Sequence, residues 1–238
     1  MKFLIPAILA SIISIPTFAQ ASVQEKLDHK KAEFTKAADA KKIADYEEGI
    51  KIVEESGVLK TAKNVGDAAP NFTLSNALGG TTTLSNLLNE GPVVLIWYRG
   101  EWCPYCNIYL KDIQDHAKDF KKLGAQIVAI SPEIADNSVA MQDKLDLEFH
   151  VLSDEGSKTA KDYGVIYNLP PKIANYLNNA FDLKAANNDD GNTLPLSASY
   201  VINPNGEITY AFLDADYRKR AETEVLLKEV EKITQKQK

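Results

Sequence analysis

The chain has 238 residues, of which 45% are hydrophobic and 25% are charged, and its formal net charge is −6. This composition is typical of a globular protein with one sizeable core. It lacks the cluster of basic residues with interleaved aromatic residues by which nucleic-acid-binding proteins are recognised. We therefore expect no nucleic-acid partner.

Residues 1–21 predict a secretory signal peptide. Lys2 precedes a short apolar run and small residues follow it, which places the cleavage after Ala19 or Ala21. The apolar run is shorter than the roughly 20 residues that span a bilayer and is interrupted by proline, so a retained membrane helix is disfavoured. No cysteine lies near the cleavage positions, so the sequence does not indicate a lipid anchor. We expect a soluble, exported protein, periplasmic or secreted, without a membrane partner.

Residues 22–60 predict an N-terminal amphipathic helical extension. The segment lacks proline and has no glycine before Gly49, which favours one continuous helix that ends at Gly57. Its apolar residues recur at helical spacing and form one stripe. The residues of this stripe are Leu27, Phe34, Ile43, Tyr46, Ile50 and Val53. The stripe predicts packing on the rest of the chain or on a second copy in a homodimer.

Residues 61–238 predict one domain, whose first half contains a βαβ unit. The predicted elements of this half are short strands over 71–74 and 81–84, a core strand over 92–98, a helix over 103–122 and a strand over 125–131. The two longer strands are almost continuously apolar. We therefore expect a sheet that is covered by helices on both faces.

The second half of the domain alternates helices and short strands and ends with a hairpin and a helix. Its elements are a helix over 138–145, a strand over 149–152, a helix over 155–163, strands over 198–203 and 207–213, and a helix over 223–235. Residues 166–195 are less regular, and we expect this insertion, with a helix over 173–183, to wall one side of a cleft. The element order, with Cys-x-x-Cys after the first core strand, predicts an α/β thioredoxin-like fold with a central mixed sheet.

The two cysteines of the chain, Cys103 and Cys106, lie between the core strand and the helix that follows it. A disulfide between residues so close in sequence closes almost no loop, so a redox use is favoured over a structural one. With Pro104 in the first turn, Cys103 is expected to cap the helix and to be the more exposed thiol, with a lowered pKa. Cys103 is then expected to attack the substrate, and Cys106 to resolve the product by attacking the Cys103 sulfur. Arg99 is either a stabiliser of the thiolate or a surface arginine.

A zinc site is another use of a Cys-x-x-Cys pair. Structural zinc takes four protein ligands, but His29, His116 and His150 form no metal-like pair with each other or with the cysteines. We therefore expect no metal and no organic cofactor.

Five segments of the chain carry a resemblance to a known family. They lie over 66–74, 98–107, 129–133, 151–154 and 200–208. Together they resemble the alkyl hydroperoxide reductase and thiol-specific antioxidant family, in its peroxiredoxin-like branch with a Cys-Pro-Tyr-Cys site. The resemblance implies that Cys103 is the peroxidatic cysteine, which a hydroperoxide oxidises to sulfenic acid. It also implies that Cys106 resolves this acid as a disulfide, which a thioredoxin-like protein or a small thiol reopens.

The chain departs from typical peroxiredoxins at the positions that bind the peroxide. Those proteins carry a proline and a threonine seven and three residues before the peroxidatic cysteine, where this chain has Ile96 and Gly100. They also carry an arginine near the start of the penultimate strand, where this chain has Ser197 and Ala198. The arginines that can replace these contacts are Arg99, Arg218 and Arg220.

Two other functions stay open on the sequence. A Trp-Cys pair with a second cysteine at thioredoxin spacing is similar to exported thiol-disulfide oxidoreductases that act on protein disulfides. The buried acid of thioredoxin, however, corresponds to Trp97 here, and its cis-proline position corresponds to Ser197. The third possibility is a redox sensor, in which the disulfide changes a binding surface. The sequence favours an antioxidant thiol peroxidase.

Overall fold

The computed structural model describes residues 21–236. Residues 1–20, where nearly all of the predicted signal peptide lies, are outside the described residues. The helices are α1 (Val23–Ala37), α2 (Ala40–Glu55), α3 (Val58–Thr61), α4 (Leu84–Leu88), α5 (Pro104–Asp115), α6 (Ala117–Lys122), α7 (Ala135–Leu145), α8 (Lys158–Asp162), α9 (Pro171–Phe181), α10 (Leu183–Asn187) and α11 (Thr223–Lys236). The strands are β1 (Thr73–Asn76), β2 (Thr81–Thr83), β3 (Val93–Trp97), β4 (Gln126–Ser131), β5 (His150–Ser153), β6 (Ile166–Asn168), β7 (Thr193–Pro195), β8 (Ser197–Ile202) and β9 (Ile208–Asp214).

Seven strands form a central mixed sheet in the order β2-β1-β5-β4-β3-β8-β9. The strands β3, β4 and β5 are parallel, as expected of a βαβ connection. The hairpin β8–β9 continues the sheet antiparallel beside β3, and β1 and β2 continue it antiparallel beside β5. This confirms the predicted central mixed sheet flanked by helices, with a helical extension before it.

The central strand β3 is buried on both faces. Side chains alternate along a strand, so Leu95 and Trp97 pack in one apolar core while Val94 and Ile96 pack in the other. All four are at most 1% exposed. The continuous apolar run of the sequence therefore reflects two helix layers, one on each side of the sheet.

The N-terminal extension is two main helices rather than the one continuous helix that we predicted. Ala38 is extended between α1 and α2, and the Asp39 side chain accepts a hydrogen bond from the Lys42 N–H at 2.8 Å. An aspartate in this position satisfies a free N–H group of the first turn and so starts a new helix. Helix propensity alone contains no signal for this break, since neither glycine nor proline is present.

The two helices of the extension pack on opposite sides of the domain. In α1, Val23 and Leu27 are buried in the core that contains α5, whereas Val53 of α2 is buried in the core on the other face of the sheet. The apolar stripe that suggested a homodimer is thus largely used within the chain.

Charged contacts fasten the extension to the domain. The Glu222 carboxylate, just before α11, accepts hydrogen bonds from the first N–H groups of α1 at 2.9 and 3.0 Å. Arg218 donates two hydrogen bonds to Glu47 of α2, at 2.5 and 3.0 Å. Asp45 accepts hydrogen bonds from Lys172 at 2.9 Å and from Tyr176 at 2.8 Å, both on α9. The extension is therefore held in place by side chains far away in the sequence.

The irregular insertion contains more structure than the sequence predicted. Two short strands, β6 and β7, pair as a separate antiparallel ribbon. The helix predicted over 173–183 corresponds to α9, and Asp182 separates it from an additional helix, α10. Asp182 has a positive φ of 48° and caps α10 with its side chain. Within residues 21–236, no helix is both long and apolar enough to cross a membrane.

Candidate active site around two buried thiols

The central strand β3 leads the backbone to the site. Beyond Trp97 the chain leaves the sheet, and Cys103 is the N-cap of α5 with Pro104 as the first helical residue. The Cys103 N–H donates to the carbonyl oxygen of Gly100 at 3.1 Å. Proline fits the first turn because the N–H group that it lacks would have no partner inside the helix. The cysteine pair therefore lies where the sequence predicted, at the start of a helix after the first core strand.

The two sulfur atoms lie 2.8 Å apart and are not joined in a disulfide. Cys103 is 1% exposed and Cys106 is 0% exposed. Both thiols are therefore buried, because the N-terminal extension and α9 cover the start of α5, and Cys103 is the more accessible of the two only through a cavity. The thiols still differ in their surroundings, since Cys103 lines a cavity and Cys106 lies behind it.

The sulfur of Cys106 has the more polar surroundings. It accepts a hydrogen bond from the Arg99 backbone N–H at 3.5 Å and another from Nη2 of Arg220 at 3.4 Å. Arg220 is itself held by the Ser197 hydroxyl and by the carbonyl oxygens of Tyr217 and Lys219. Ser197 is one of the two residues that this chain has where the family resemblance implies an arginine, and it accepts a hydrogen bond from Arg220, which lies in the segment after β9.

These contacts shift the pKa values of the two thiols in opposite directions. Burial alone raises the pKa of both. At Cys106 the hydrogen bond with Cys103 and the charges of Arg220 and Arg99 outweigh burial and lower the pKa. At Cys103 burial and the adjacent Cys106 sulfur raise the pKa well above its ordinary value. This differs from the lowered pKa that we expected for Cys103, because the nearest donors point at the other sulfur.

Arg99 lies beside Cys103 on the cavity wall, not on the surface. It is 3% exposed, and its guanidinium carbon lies 4.8 Å from the Trp102 ring centroid and 4.1 Å from that of Tyr217. Among the described residues, Nε of Arg99 and Nε1 of Trp102 are buried and have no hydrogen-bond partner. Two unpaired donors are thus available near the Cys103 thiol.

Gly100 is the position where typical peroxiredoxins carry a threonine. Its φ is +153°, and a Cβ there would lie 2.3 Å from Nε1 of Trp102 and 2.9 Å from Cδ of Glu133. No side chain fits without moving both neighbours. The indole of Trp102 therefore occupies the space that a threonine would need.

Cys103 lines a cavity of about 460 Å³, which we call the aromatic cavity. Five parts of the chain form it: α1, α2, the segment that carries Cys103, α9 and the segment after β9 that carries Tyr217. Its aromatic residues are Phe34, Tyr46, Trp102, Tyr105, Tyr176, Phe181 and Tyr217. Trp102 stacks on Phe181 with ring centroids 5.0 Å apart, and Tyr46 stacks on Tyr176 at 5.9 Å. The size is that of a small-molecule site.

One wall of this cavity was predicted from the sequence, and the other was not. The predicted insertion does wall one side, through Tyr176 and Phe181 of α9. The wall formed by the N-terminal extension was not predicted. Phe34 and Tyr46 were visible as members of the apolar stripe, but a spacing pattern does not tell whether a side chain meets a core or a cavity.

The histidines of the chain make other contacts. Nδ1 of His116 lies 2.8 Å from the Asp112 carbonyl oxygen, and Nδ1 of His150 lies 2.9 Å from the Asn76 side chain. Within the described part of the chain, no group of three or more His, Cys, Asp or Glu side chains is arranged to hold a metal ion.

The fold and the site define a class of protein. A buried strand that leads to a Cys-x-x-Cys pair at the N-terminus of a helix, on a mixed sheet with helices on both faces, is the arrangement of a thioredoxin-like scaffold, and a pair in this position is suited to dithiol redox chemistry.

The sequence model of the AhpC/TSA family matches residues 65–211, which is more than half of the chain. The chain belongs to the AhpC/TSA family, as the resemblance of its motifs implied. The match includes Arg99 and both cysteines. It does not include α1, α2 or Arg220.

Similar proteins include plant peroxiredoxins. The chain is 32% identical over 147 residues to "Peroxiredoxin Q, chloroplastic" of Oryza sativa subsp. japonica, covering 62% of this chain and 58% of that protein. It is 36% identical over 109 residues to the protein of the same name from Arabidopsis thaliana, covering 46% of this chain and 50% of that one. The chain therefore spans between half and three fifths of the length of these two relatives.

Two of the solved structures with the same fold come from bacteria. Peroxidoxin BcpB from Mycobacterium tuberculosis superposes with a TM-score of 0.56 at 22% identity, covering 71% of this chain and 97% of that one. Peroxiredoxin Q from Xanthomonas campestris superposes with a TM-score of 0.52 at 18% identity, covering 68% and 91%. These structures establish the thioredoxin-like fold of the domain.

Proposed function

We propose that the protein is an antioxidant thiol peroxidase that reduces hydrogen peroxide or organic hydroperoxides through Cys103 and Cys106. The observation that carries this proposal is the arrangement of the two sulfurs. One faces the aromatic cavity, and the other lies 2.8 Å behind it. A substrate in the cavity meets Cys103 first, with a second thiol already within reach. Membership of the AhpC/TSA family and the names of the relatives support the same activity.

The reaction has two steps within the protein. The Cys103 sulfur attacks the distal oxygen of the hydroperoxide, the O–O bond breaks, and an alcohol or water leaves with one proton. The Cys106 sulfur then attacks the sulfenic acid of Cys103, an S–S bond forms, and water leaves. Since a disulfide bond is about 2.05 Å long, the sulfurs need to approach by less than about 1 Å. Resolution therefore requires no unwinding of α5.

Arg99 and Trp102 are suited to hold the peroxide beside Cys103. The free Nε of Arg99 and the free Nε1 of Trp102 can donate to peroxide oxygens. The guanidinium also stabilises the negative charge that develops on the leaving oxygen and any thiolate on Cys103, an effect that is strong in a buried site. These two donors would take over the role of the residues that typical members carry at the positions of Ile96 and Gly100.

The oxidised pair is reopened by a thioredoxin-like protein or by a small thiol. The incoming thiolate attacks Cys103, because only this sulfur lines the aromatic cavity. The S–S bond breaks, Cys106 leaves, and a second thiol releases Cys103 from the mixed disulfide. Reduction thus follows the same route as the peroxide.

The proposed location is outside the cytoplasm, in the periplasm or the secreted fraction. It is supported by the charged start, short apolar run and small residues over 1–21. The plant relatives, by contrast, are named chloroplastic. Fractionation of cells that express the full chain, with sequencing of the mature N-terminus, tests this location.

Stopped-flow oxidation of the reduced protein tests the activity. We expect rapid loss of two thiols per peroxide, with turnover when a thioredoxin or dithiothreitol is supplied. The Cys103→Ser variant should lose the fast phase entirely. The Cys106→Ser variant serves as the matched control, since oxidation of Cys103 should stop there at a sulfenic acid, which dimedone traps.

Two outcomes would replace this function by another. Oxidation no faster than that of a free thiol, together with rapid reduction of insulin disulfides, would indicate a thiol-disulfide oxidoreductase. Stoichiometric oxidation without turnover with any reductant would indicate a redox sensor.

A further inference from the structure

Arg220 is a buried arginine in the segment between β9 and α11, outside the residues that match the family. It is 4% exposed, although an arginine side chain is rarely buried without a partner for its charge. Its Nη1 donates to the Ser197 hydroxyl and to the carbonyl oxygens of Tyr217 and Lys219, and its Nη2 donates to the Cys106 sulfur at 3.4 Å. Among the described residues, none of its hydrogen bonds goes to a carboxylate.

The charge of this guanidinium therefore has one natural counterion. A buried cation is unfavourable unless an anion compensates it, and among the hydrogen-bond partners that Arg220 has in the described residues, the Cys106 thiol is the one that ionises most readily. The Arg99 N–H adds a second donor to the same sulfur at 3.5 Å. Cys103, at 2.8 Å, supplies a third when it is protonated.

We infer that Arg220 is a catalytic residue that holds Cys106 as the thiolate of the pair. The Arg220 side chain and the Arg99 backbone N–H donate to the Cys106 sulfur, while the Arg99 side chain lies at the aromatic cavity beside Cys103. The inference rests on the proposed function for its consequences in turnover, but not for its test.

A thiolate on Cys106 gives this residue two tasks in addition to resolution. It accepts the Cys103 proton as that sulfur attacks the hydroperoxide, and it returns the proton to the departing alkoxide, which leaves as the alcohol. Cys106, again a thiolate, then attacks the sulfenic acid; hydroxide leaves and takes a proton from solvent. During reduction Cys106 departs as a thiolate, and a sulfur with a lowered pKa leaves faster.

Several charged or titratable groups face this sulfur from other elements. They are Arg99, Arg220, Cys103, Glu133, Tyr98 and Tyr167. Glu133, at the end of β4, opposes a negative sulfur when it is ionised. Any titration of Cys106 must therefore be compared between variants that keep these groups unchanged.

The test is a titration of thiolate absorbance at 240 nm, without peroxide. In Cys103→Ser, Cys106 is the single thiol, and we expect its pKa to lie below the free-cysteine value of about 8.5. Adding Arg220→Gln should raise it by about 1 to 3 units, because a nearby opposite charge lowers a pKa by that amount. Arg220→Lys should restore part of the shift. Arg218→Gln, which removes a buried arginine two residues away that does not touch sulfur, should not move the pKa.

Ser197→Ala gives a milder variant in case Arg220→Gln does not fold. It removes one anchor of the guanidinium and keeps the charge, so the pKa should rise in the same direction by a smaller amount. Equal shifts in the Arg220 and Arg218 variants would overturn the inference. So would a low pKa that persists in Cys106→Ser and is lost in Cys103→Ser. Failure of the peroxidase assay with these pKa shifts intact would reject only the proposed function.

Discussion

The region that matches the family and the two segments that flank it contribute different parts of one site. Residues 65–211 provide the sheet, both sulfurs and Arg99. The flanking residues provide the wall of the aromatic cavity that α1 and α2 form, together with Tyr217, and the guanidinium of Arg220 behind Cys106. The scaffold shared with the family thus carries the reacting atoms, while the segments outside residues 65–211 determine their surroundings.

Different interactions stabilise the two regions. The matched region depends on apolar burial, as its strand β3 shows with side chains at most 1% exposed. The flanks add to their apolar contacts a set of ion pairs, such as Arg218 with Glu47 and Lys172 with Asp45. Ion pairs respond to pH and salt, whereas apolar packing does so only weakly.

Two carboxylates, one in each region, have pKa shifts of opposite sign. Glu133 in the matched region is buried without a cation, and burial raises its pKa to about 7. Glu47 in the extension is held by Arg218, whose hydrogen bonds lower its pKa. Acid should therefore loosen the extension, whereas neutral and alkaline pH should cost stability in the domain.

The largest effect is expected from a pair of matched leucine substitutions. Leu110 on α5 and Leu27 on α1 are both 0% exposed. Leu110→Ala should lower the free energy of unfolding by about 2 to 5 kcal/mol, because a buried cavity forms in the domain. Leu27→Ala should cost less globally and should mainly speed amide exchange in α1. Denaturant unfolding and hydrogen exchange measure the two quantities.

Equal losses of unfolding free energy in Leu110→Ala and Leu27→Ala would contradict this prediction, since they would place α1 in the same cooperative unit as the sheet. Val139→Ala, at a residue 39% exposed, is the control. It should change the unfolding free energy by less than about 0.5 kcal/mol.

A smaller effect is expected from Glu133 and depends on pH. The folded protein keeps the carboxyl protonated up to about pH 7, whereas the unfolded chain loses this proton near pH 4.3. The folded state binds more protons between these values, so stability falls as pH rises through this window, by at most about 4 kcal/mol. Glu133→Gln should remove this slope and stabilise the protein at pH 8.

Unfolding curves between pH 4 and pH 8 measure this slope. Glu148→Gln, at an exposed residue of the same domain, should leave the slope unchanged. An identical slope in wild type and Glu133→Gln would show that other groups set the pH dependence.

The smallest effect is expected from Glu47. Its pKa is lowered by Arg218, so the attachment is fully present above the unfolded pKa of about 4.3 and is lost as pH falls below it. Because the Glu47 side chain is 48% exposed, Glu47→Gln should weaken the attachment of α2 by about 1 kcal/mol or less. Amide exchange in α2 at pH 7 should become faster, and its increase below pH 4 should be smaller than in wild type.

Glu54→Gln is the control on the same helix, since Glu54 is exposed and makes no ion pair among the described residues. Similar exchange rates in the Glu47 and Glu54 variants would mean that apolar contacts alone hold the extension.

The sequence by itself determined the features that depend on neighbours along the chain. Strand β3 follows from its apolar run, and the helix start follows from Cys103, Pro104 and the pattern after them. The break at Asp39 and the division of the insertion at Asp182 were missed, because capping side chains compete there with helix propensity by small margins.

The difference between the two thiols depends on contacts between distant parts of the chain. Besides the hydrogen bond with Cys103, the Cys106 pKa is lowered by Arg220, 114 positions away, and the Arg218–Glu47 contact that fastens the cavity wall joins residues 171 positions apart. Charge and burial act through space, and a pattern of neighbours contains no information about which distant group arrives beside a sulfur. The sequence could therefore locate the thiols at the helix start, while the fold placed Cys103 against the cavity and Cys106 against Arg220.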